Sequence, residues 1–102
     1  MITISVCMIV KDEEMVLERA LKSVERIADE IIIVDTGSTD RTKKIALKYT
    51  DKVYDFVWCD DFAKARNYSF SKATMDYCMW LDADDIISDS DQESLINLKK
   101  TL

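Results

Sequence analysis

The sequence predicts an α/β fold with a mainly parallel sheet of four strands. Three observations carry this. Four short apolar runs recur along the chain: ITISVCMIV (2–10), EIIIVD (30–35), KVYDFVW (52–58) and YCMWLD (77–82). The stretches between them show helical rather than alternating periodicity. There is no proline and one glycine, Gly37, so little interrupts these elements. The resulting βαβαβαβα order implies right-handed crossovers, parallel strands and helices on both faces, a Rossmann-like arrangement.

Each element has its own signature. ITISVCMIV is β-branched and mostly apolar, as a strand buried on both faces requires. From Glu13 the pattern turns helical: Leu17, Ala20, Leu21, Val24, Ile27 and Ala28 form one apolar stripe. EIIIVD is a second buried strand, and Thr36-Gly37-Ser38 then turns the chain. Ser38 or Thr39 is placed to cap a helix over about residues 40–49, with Asp40 in its first turn. KVYDFVW alternates more and is expected nearer a sheet edge. Residues 62–74 are expected to be helical, and YCMWLD to be the fourth buried strand. Ser90 and Glu93 have capping-box spacing for a last helix carrying Leu95, Ile96, Leu98 and Leu102.

Bulk properties narrow the function classes. The chain has 102 residues, 48% apolar and 33% charged, which suits one globular domain over residues 1–102. Its net charge of −6 argues against nucleic acid or an anionic membrane as main partner. With no histidine, histidine triads and histidine metal sites are excluded. The three cysteines are odd in number and lack C-x-x-C spacing; Cys7 and Cys78, inside apolar runs, read as small core residues. A reducing, cytoplasmic compartment without a disulfide framework is expected. The apolar start lacks a basic leader region and cleavage site, and no stretch reaches the roughly 20 residues of a membrane span.

In parallel α/β sheets, ligands bind beyond the carboxyl ends of the strands. Here those ends are Lys11-Asp12-Glu13-Glu14, Asp35-Thr36-Gly37-Ser38, Cys59-Asp60-Asp61 and Asp82-Ala83-Asp84-Asp85. All four are acidic. Two carboxylates about 4 Å apart repel by roughly 4 kcal/mol at an effective dielectric of 20, so such a rim takes up protons, spreads into solvent or recruits a cation. Hard oxygen donors suit Mg²⁺ or Mn²⁺. Aspartates at strand ends also serve as caps, and that structural reading is the favoured one for Asp12, Glu13, Glu14, Asp60 and Asp61 individually. The D-x-D directly after an apolar strand is the sharper signal. Arg66 and Asn67 sit in a predicted helix just before that strand. Arg66 is open to pairing with Asp35 or Asp82, to holding a phosphate or base edge, or to an ordinary surface salt bridge.

Together, ISVCMIVKDEE, IIIVDTGSTDRT, FAKARNYSFSKAT and YCMWLDADD resemble the nucleotide-binding half of family 2 glycosyltransferases, which have the GT-A fold. The match runs from about residue 2 to 88 and holds motif order as well as spacing. The resemblance implies that Asp35 contacts the nucleotide base, usually uracil, and that backbone around Val10 and Lys11 lines the base. It places Arg66 near the diphosphate and Asp82 at the ribose and the metal. Asp84 would ligate a Mn²⁺ or Mg²⁺ that bridges the diphosphate, with Asp85 assisting. The substrate implied is a nucleotide-diphospho-sugar, in most cases a UDP-sugar, transferred with inversion to an acceptor.

This sequence departs from the family pattern in places. Asp12 stands where asparagine is common, and Thr36 replaces a frequent second aspartate. Ser69 and Met75 stand where glycines are frequent, which bears on the sugar pocket. The Lys-Asp-Glu-Glu start is more like the branch that joins this domain to helical repeats or acts on peptides. The resemblance also implies a truncated GT-A fold: the acceptor half and its general base would follow the D-x-D segment, and only one helix follows here. Asp60 and Asp61 are the only spare acids, and neither is a credible base. Such a half is expected to bind nucleotide weakly and not to turn over alone. A non-catalytic binding or interaction module on the same fold is the alternative. A receiver-like signalling domain fits less well, because no fifth strand with its lysine is visible.

Overall fold

A computed structural model describes residues 2–101 of the chain. The elements are β1 (Ile4–Val10), α1 (Leu17–Val24), β2 (Glu30–Asp35), α2 (Thr42–Leu47), β3 (Val53–Asp55), α3 (Phe62–Ser71), β4 (Tyr77–Trp80) and α4 (Asp89–Thr101). The strands form one four-stranded sheet in the order β3-β2-β1-β4, and every pairing is parallel. The chain steps outward from β1 to β3, then crosses back to lay β4 on the other side of β1. The strand order therefore reverses beside β1, which marks its carboxyl end as the switch point where ligands bind in such sheets.

Alternation along β1 and β2 divides the core. Ile4, Val6, Met8 and Val10 share a face with Ile31 and Ile33, and pack with Leu17, Ala20, Leu21 and Val24 of α1. The opposite face meets α3, where the Cys7 thiol approaches the Ser69 carbonyl. Burial pushes the Cys7 thiol up to about 12, with Cys78 beside it adding to the shift, so it is an inert core group.

Several expected boundaries move. The apolar stripe of α1 is buried as predicted, but the helix ends at Val24 and Ile27 follows in a turn. The second helix is shorter than residues 40–49, and neither Ser38 nor Thr39 caps it. The Ser38 hydroxyl accepts from the Asp12 N–H, and Asp40 Oδ1 accepts from the Thr42 N–H instead. The last helix is capped by Ser88 Oγ, which accepts from the Asp91 N–H, two residues ahead of the expected Ser90. Leu95 and Ile96 pack on the core, Leu98 is exposed, and Leu102 lies outside the described residues.

β4 is the main correction. Among the described residues it pairs with β1 alone and forms a sheet edge, and α3 packs mainly over β1 and β2, meeting β4 through Phe62 and Phe70 against Trp80. Tyr77 and Cys78 are exposed, so Cys78 is not a core residue. An apolar run states that a strand wants cover; it does not state what supplies the cover. KVYDFVW is an edge strand as expected, but it stops at Asp55; the Phe56 N–H still bonds the Asp35 carbonyl, and Val57 and Trp58 continue outside the strand.

Two buried charges tie the amino ends of the strands together. Glu30 is 5% exposed and accepts from Ser5 Oγ (2.7 Å), the Thr74 N–H (2.8 Å), Thr74 Oγ1 (2.7 Å) and Lys52 Nζ. Lys99 donates to the Ile27 carbonyl and to Asp29, and so pins α4 to the loop before β2. These networks fix the sheet from below and leave the opposite rim free for function.

Candidate functional site

Sheet register brings the strand ends level. Val10 pairs with Asp35, and Asp35 pairs with Asp55. β4 stops opposite Cys7, but the Leu81 N–H still bonds the Cys7 carbonyl, and the chain carries Asp82 and Ala83 on toward the level of Val10. One rim thus collects the four acidic segments.

At the end of β2, Asp35 is 4% exposed. Its Oδ1 accepts from the Gly37 and Ser38 N–H groups, both at 2.8 Å, and closes an Asx turn. Gly37 has φ +116°, a conformation that other residues rarely adopt, so the turn requires glycine. Asp35 Oδ2 is buried without a hydrogen-bond partner among the described residues. A buried, unpaired carboxylate oxygen is costly, and native folds keep few of them. Thr36, the departure from the second family aspartate, donates its N–H and its hydroxyl to the Val10 carbonyl and ties the two strand ends together.

At the end of β1, Val10 is buried and Lys11 exposed. Asp12 has φ +51°, a left-handed conformation that asparagine and aspartate tolerate better than other side chains. Its Oδ1 accepts from the Thr39 N–H at 2.7 Å. Glu14 accepts from the Arg41 N–H, and Asp40 from the Glu14 N–H. These acids lace one loop to the next. Glu13 differs: its half-buried carboxyl is raised above the ordinary value, first by burial and then by Asp84, Asp40 and Asp12 around it.

Two adjoining clefts open at this rim. One, of about 240 Å³, is lined by Ile9, Val10, Lys11, Glu13, Thr36, Trp58 and Phe62. The other, of about 310 Å³, is lined by Asp35, Thr36, Gly37, Asp55, Phe56, Val57 and Trp58. Thr36 and Trp58 belong to both. A larger hollow of about 460 Å³ lies at the amino ends around Glu30 and Lys52, but those two charges pair with each other. The strand-end rim is the better site because it holds Asp35 Oδ2, a buried acceptor without a partner among the described residues.

After β4 the chain turns over Asp82–Asp85, where the Asp85 N–H bonds the Asp82 carbonyl; Leu81 and Ala83 are buried while Asp82, Asp84 and Asp85 are exposed. Asp82 Oδ1 accepts from the Trp80 indole N–H at 3.1 Å. The Trp80 ring stands edge-on to Phe62 and Phe70. Asp82, Asp84 and Asp85 do not gather into a group that could hold a metal by themselves; no such group of three occurs among the described residues. That donor set still fits Mg²⁺ or Mn²⁺, which takes one or two protein carboxylates and fills its shell with phosphate oxygens and water.

Arg66 meets neither Asp35 nor Asp82. It is exposed and lies over the Phe62 ring at 5.7 Å, with no ion pair among the described residues. Asp60 and Asp61 are both engaged: Asp60 accepts from the Trp58 indole, and Asp61 caps α3 through the Lys64 N–H. Ser69 and Met75 line neither cleft; Ser69 is buried against β1 and Met75 bonds Ser5 Oγ. The sequence reading missed Glu13, Trp58 and Phe62 as lining residues. The W-x-D spacing that holds both tryptophans was the available signal.

The family model described as glycosyl transferase family 2 matches residues 5–101. The chain belongs to glycosyl transferase family 2. A TPR repeat-containing protein of Synechococcus elongatus is 47% identical over 85 residues, which is 83% of this chain and 21% of that protein. The S. aureus TarS 1–349 structure in complex with UDP superposes with a TM-score of 0.78 at 26% identity, covering 94% of this chain and 30% of that one. The M. tuberculosis glucosyl-3-phosphoglycerate synthase in complex with Mn²⁺ and UDP-glucose gives 0.70 at 26% identity, covering 83% of this chain and 34% of that one. The four-stranded parallel sheet with its alternating helices matches part of the GT-A fold of these structures. The chain spans 21% of the first of these relatives and 31% of an uncharacterized glycosyltransferase of Rickettsia typhi.

Proposed function

We propose that this chain is the nucleotide-sugar-binding part of a family 2 glycosyltransferase that takes a nucleotide-diphospho-sugar, with UDP-sugars as the expected donors. The observation that carries this is Asp35 Oδ2, an acceptor left unpaired in the wall of a cleft at the strand-end rim. A base edge bearing an N–H would satisfy it. Oδ2 has almost no solvent access, so the ligand must displace the cleft wall slightly, and the open space beside Gly37 accommodates that. The UDP complexes of the structural relatives support the same ligand class.

The remaining roles follow from position. Backbone at Val10 and Lys11 lines the base, although the Val10 carbonyl itself is engaged by Thr36. Asp82 faces the ribose and the metal, Asp84 ligates the metal, and Asp85 assists. Arg66, without an ion pair among the described residues, would swing to the diphosphate. A bound Mn²⁺ or Mg²⁺ offsets the negative rim and stabilises charge that develops on the leaving diphosphate. Acceptor hydroxyl activation needs a general base. Asp60 and Asp61 are engaged elsewhere, so this chain binds the donor and leaves deprotonation to other residues.

The test is a UDP titration followed by backbone amide NMR, in Mg²⁺ and then with trace Mn²⁺. Shifts clustered at Val10, Asp35, Arg66 and Asp82, with Mn²⁺ broadening of Asp82 to Asp85 only in the presence of UDP, are expected. No shift at millimolar UDP would refute the assignment for this chain.

A further inference from the structure

Trp58 is the one aromatic residue that borders both clefts. It lies past the end of β3, in a segment that no strand pairs, and it is 41% exposed. Val57 and Phe62, also exposed, line the same clefts with it, and a contiguous apolar patch at a polar rim is a feature of ligand sites. The indole is also held in place. Its N–H donates to Asp60 Oδ1 at 3.0 Å, and Asp60 adopts φ +59°. A left-handed aspartate is uncommon, and here its carboxylate is aimed back at the ring. The second cleft that Trp58 borders is the one walled by Asp35, whose unpaired Oδ2 asks for a planar N–H donor. An acceptor for a base edge and a fixed π-face thus share one cleft.

From this we infer that Trp58 is the stacking wall for the nucleobase, and that Asp60 is a positioning residue that fixes the indole. The inference rests on the donor reading above and adds the surface against which the base is held. Stacking on an aromatic face tolerates any base, so Trp58 supplies affinity while Asp35 reads the edge. Asp60 acts only through the ring and touches no ligand.

The experiment uses tryptophan fluorescence and calorimetry on the whole chain, with UDP and then with pyrophosphate, each in Mn²⁺. UDP is expected to quench emission in the unmodified chain, and Trp58→Phe is expected to abolish that nucleotide-dependent change. Trp58→Ala should weaken UDP binding by about 5- to 150-fold, the range for removing one base-stacking ring. It should leave pyrophosphate binding unchanged, because pyrophosphate has no base. Asp60→Asn keeps an acceptor and should retain most affinity; Asp60→Ala should lose part of it. If UDP binds Trp58→Ala as tightly as the unmodified chain, the stacking wall is overturned and the donor site stands. If pyrophosphate binding falls in parallel, Trp58 supports the rim rather than the base, and the wall is again overturned. If the unmodified chain binds no UDP, the donor reading fails and this inference fails with it.

Discussion

Asp35→Asn separates the two oxygens of Asp35. Oδ1 closes the turn by accepting from the Gly37 and Ser38 N–H groups, and a carboxamide oxygen can do the same. The amide nitrogen then takes the place of the unpaired Oδ2. Two opposing changes follow for stability. The turn bonds lose their charge assistance, and a desolvated anionic oxygen disappears. Each is on the order of 1–3 kcal/mol, so the net change in unfolding free energy should fall within about 2 kcal/mol of zero. Binding has no such offset. An acceptor becomes a donor facing a base N–H, and a hydrogen bond to a charged group contributes about 1.5–3 kcal/mol. UDP affinity should therefore fall by about 10- to 150-fold. Asp35→Ala provides the contrast, because it removes both oxygens. Gly37 is exposed and Ser38 half-exposed, so water takes over their N–H groups and the cost stays near the low end, about 1.5–3 kcal/mol. Urea unfolding and calorimetry with UDP on the three proteins measure both quantities. An Asp35→Asn variant that binds UDP as tightly as the parent would refute the role given to Oδ2. One that unfolds would show that the turn needs the charge.

Two further predictions rest on other contacts. Burial pushes the Glu30 carboxyl up, but Lys52, Thr74 and Ser5 outweigh it and hold it down at about 2, from an ordinary value of 4.5. A depressed acid stabilises the fold above its unfolded value and loses that contribution as pH falls, here between about 4.5 and 2, worth roughly 3 kcal/mol. Glu30→Gln should cost a similar amount at pH 7, and the gap to the parent in urea unfolding should close toward pH 2; a gap that stays constant with pH would sink the reading. Trp80→Phe keeps a ring between Phe62 and Phe70 but removes the N–H that orients Asp82. Mn²⁺ affinity in the presence of UDP should drop on the order of tenfold, as for other residues that orient a metal ligand, while metal-free UDP binding holds; an equal loss of both would make Trp80 merely structural.

Strand order and parallel pairing were legible because buried strands and amphipathic helices leave strong periodic patterns. Cover for the edge was not legible. YCMW reads like EIII in apolar content, yet the first lies at an open edge and the second in the middle of the sheet. Caps were misplaced for a related reason. Ser38, Thr39 and Asp40 can all cap a helix, and the choice fell to Asp40 because the Asp12 loop engages Ser38 and Thr39 across the sheet. That partner lies 26 or 27 positions away, beyond any local window.

The same limit governs the site. The sequence presents the strand-end acids as equals, and spacing cannot rank them. Asp12, Glu14, Asp40 and Asp61 turn out to hold backbone N–H groups, and Asp60 holds an indole. Each matches a donor that the fold would otherwise leave unsatisfied, which is a structural reason to be acidic. Asp35 has one oxygen left over, Asp82 shares its carboxylate with Trp80, and Asp84 makes no hydrogen bond among the described residues. What distinguishes a binding carboxylate from a capping one is the acceptor capacity that remains once the fold's own donors are satisfied. Among the strand-end acids that remainder lies at Asp35, Asp82, Asp84, Asp85 and Glu13, and a ligand that brings its own N–H groups and a cation would have most to gain there.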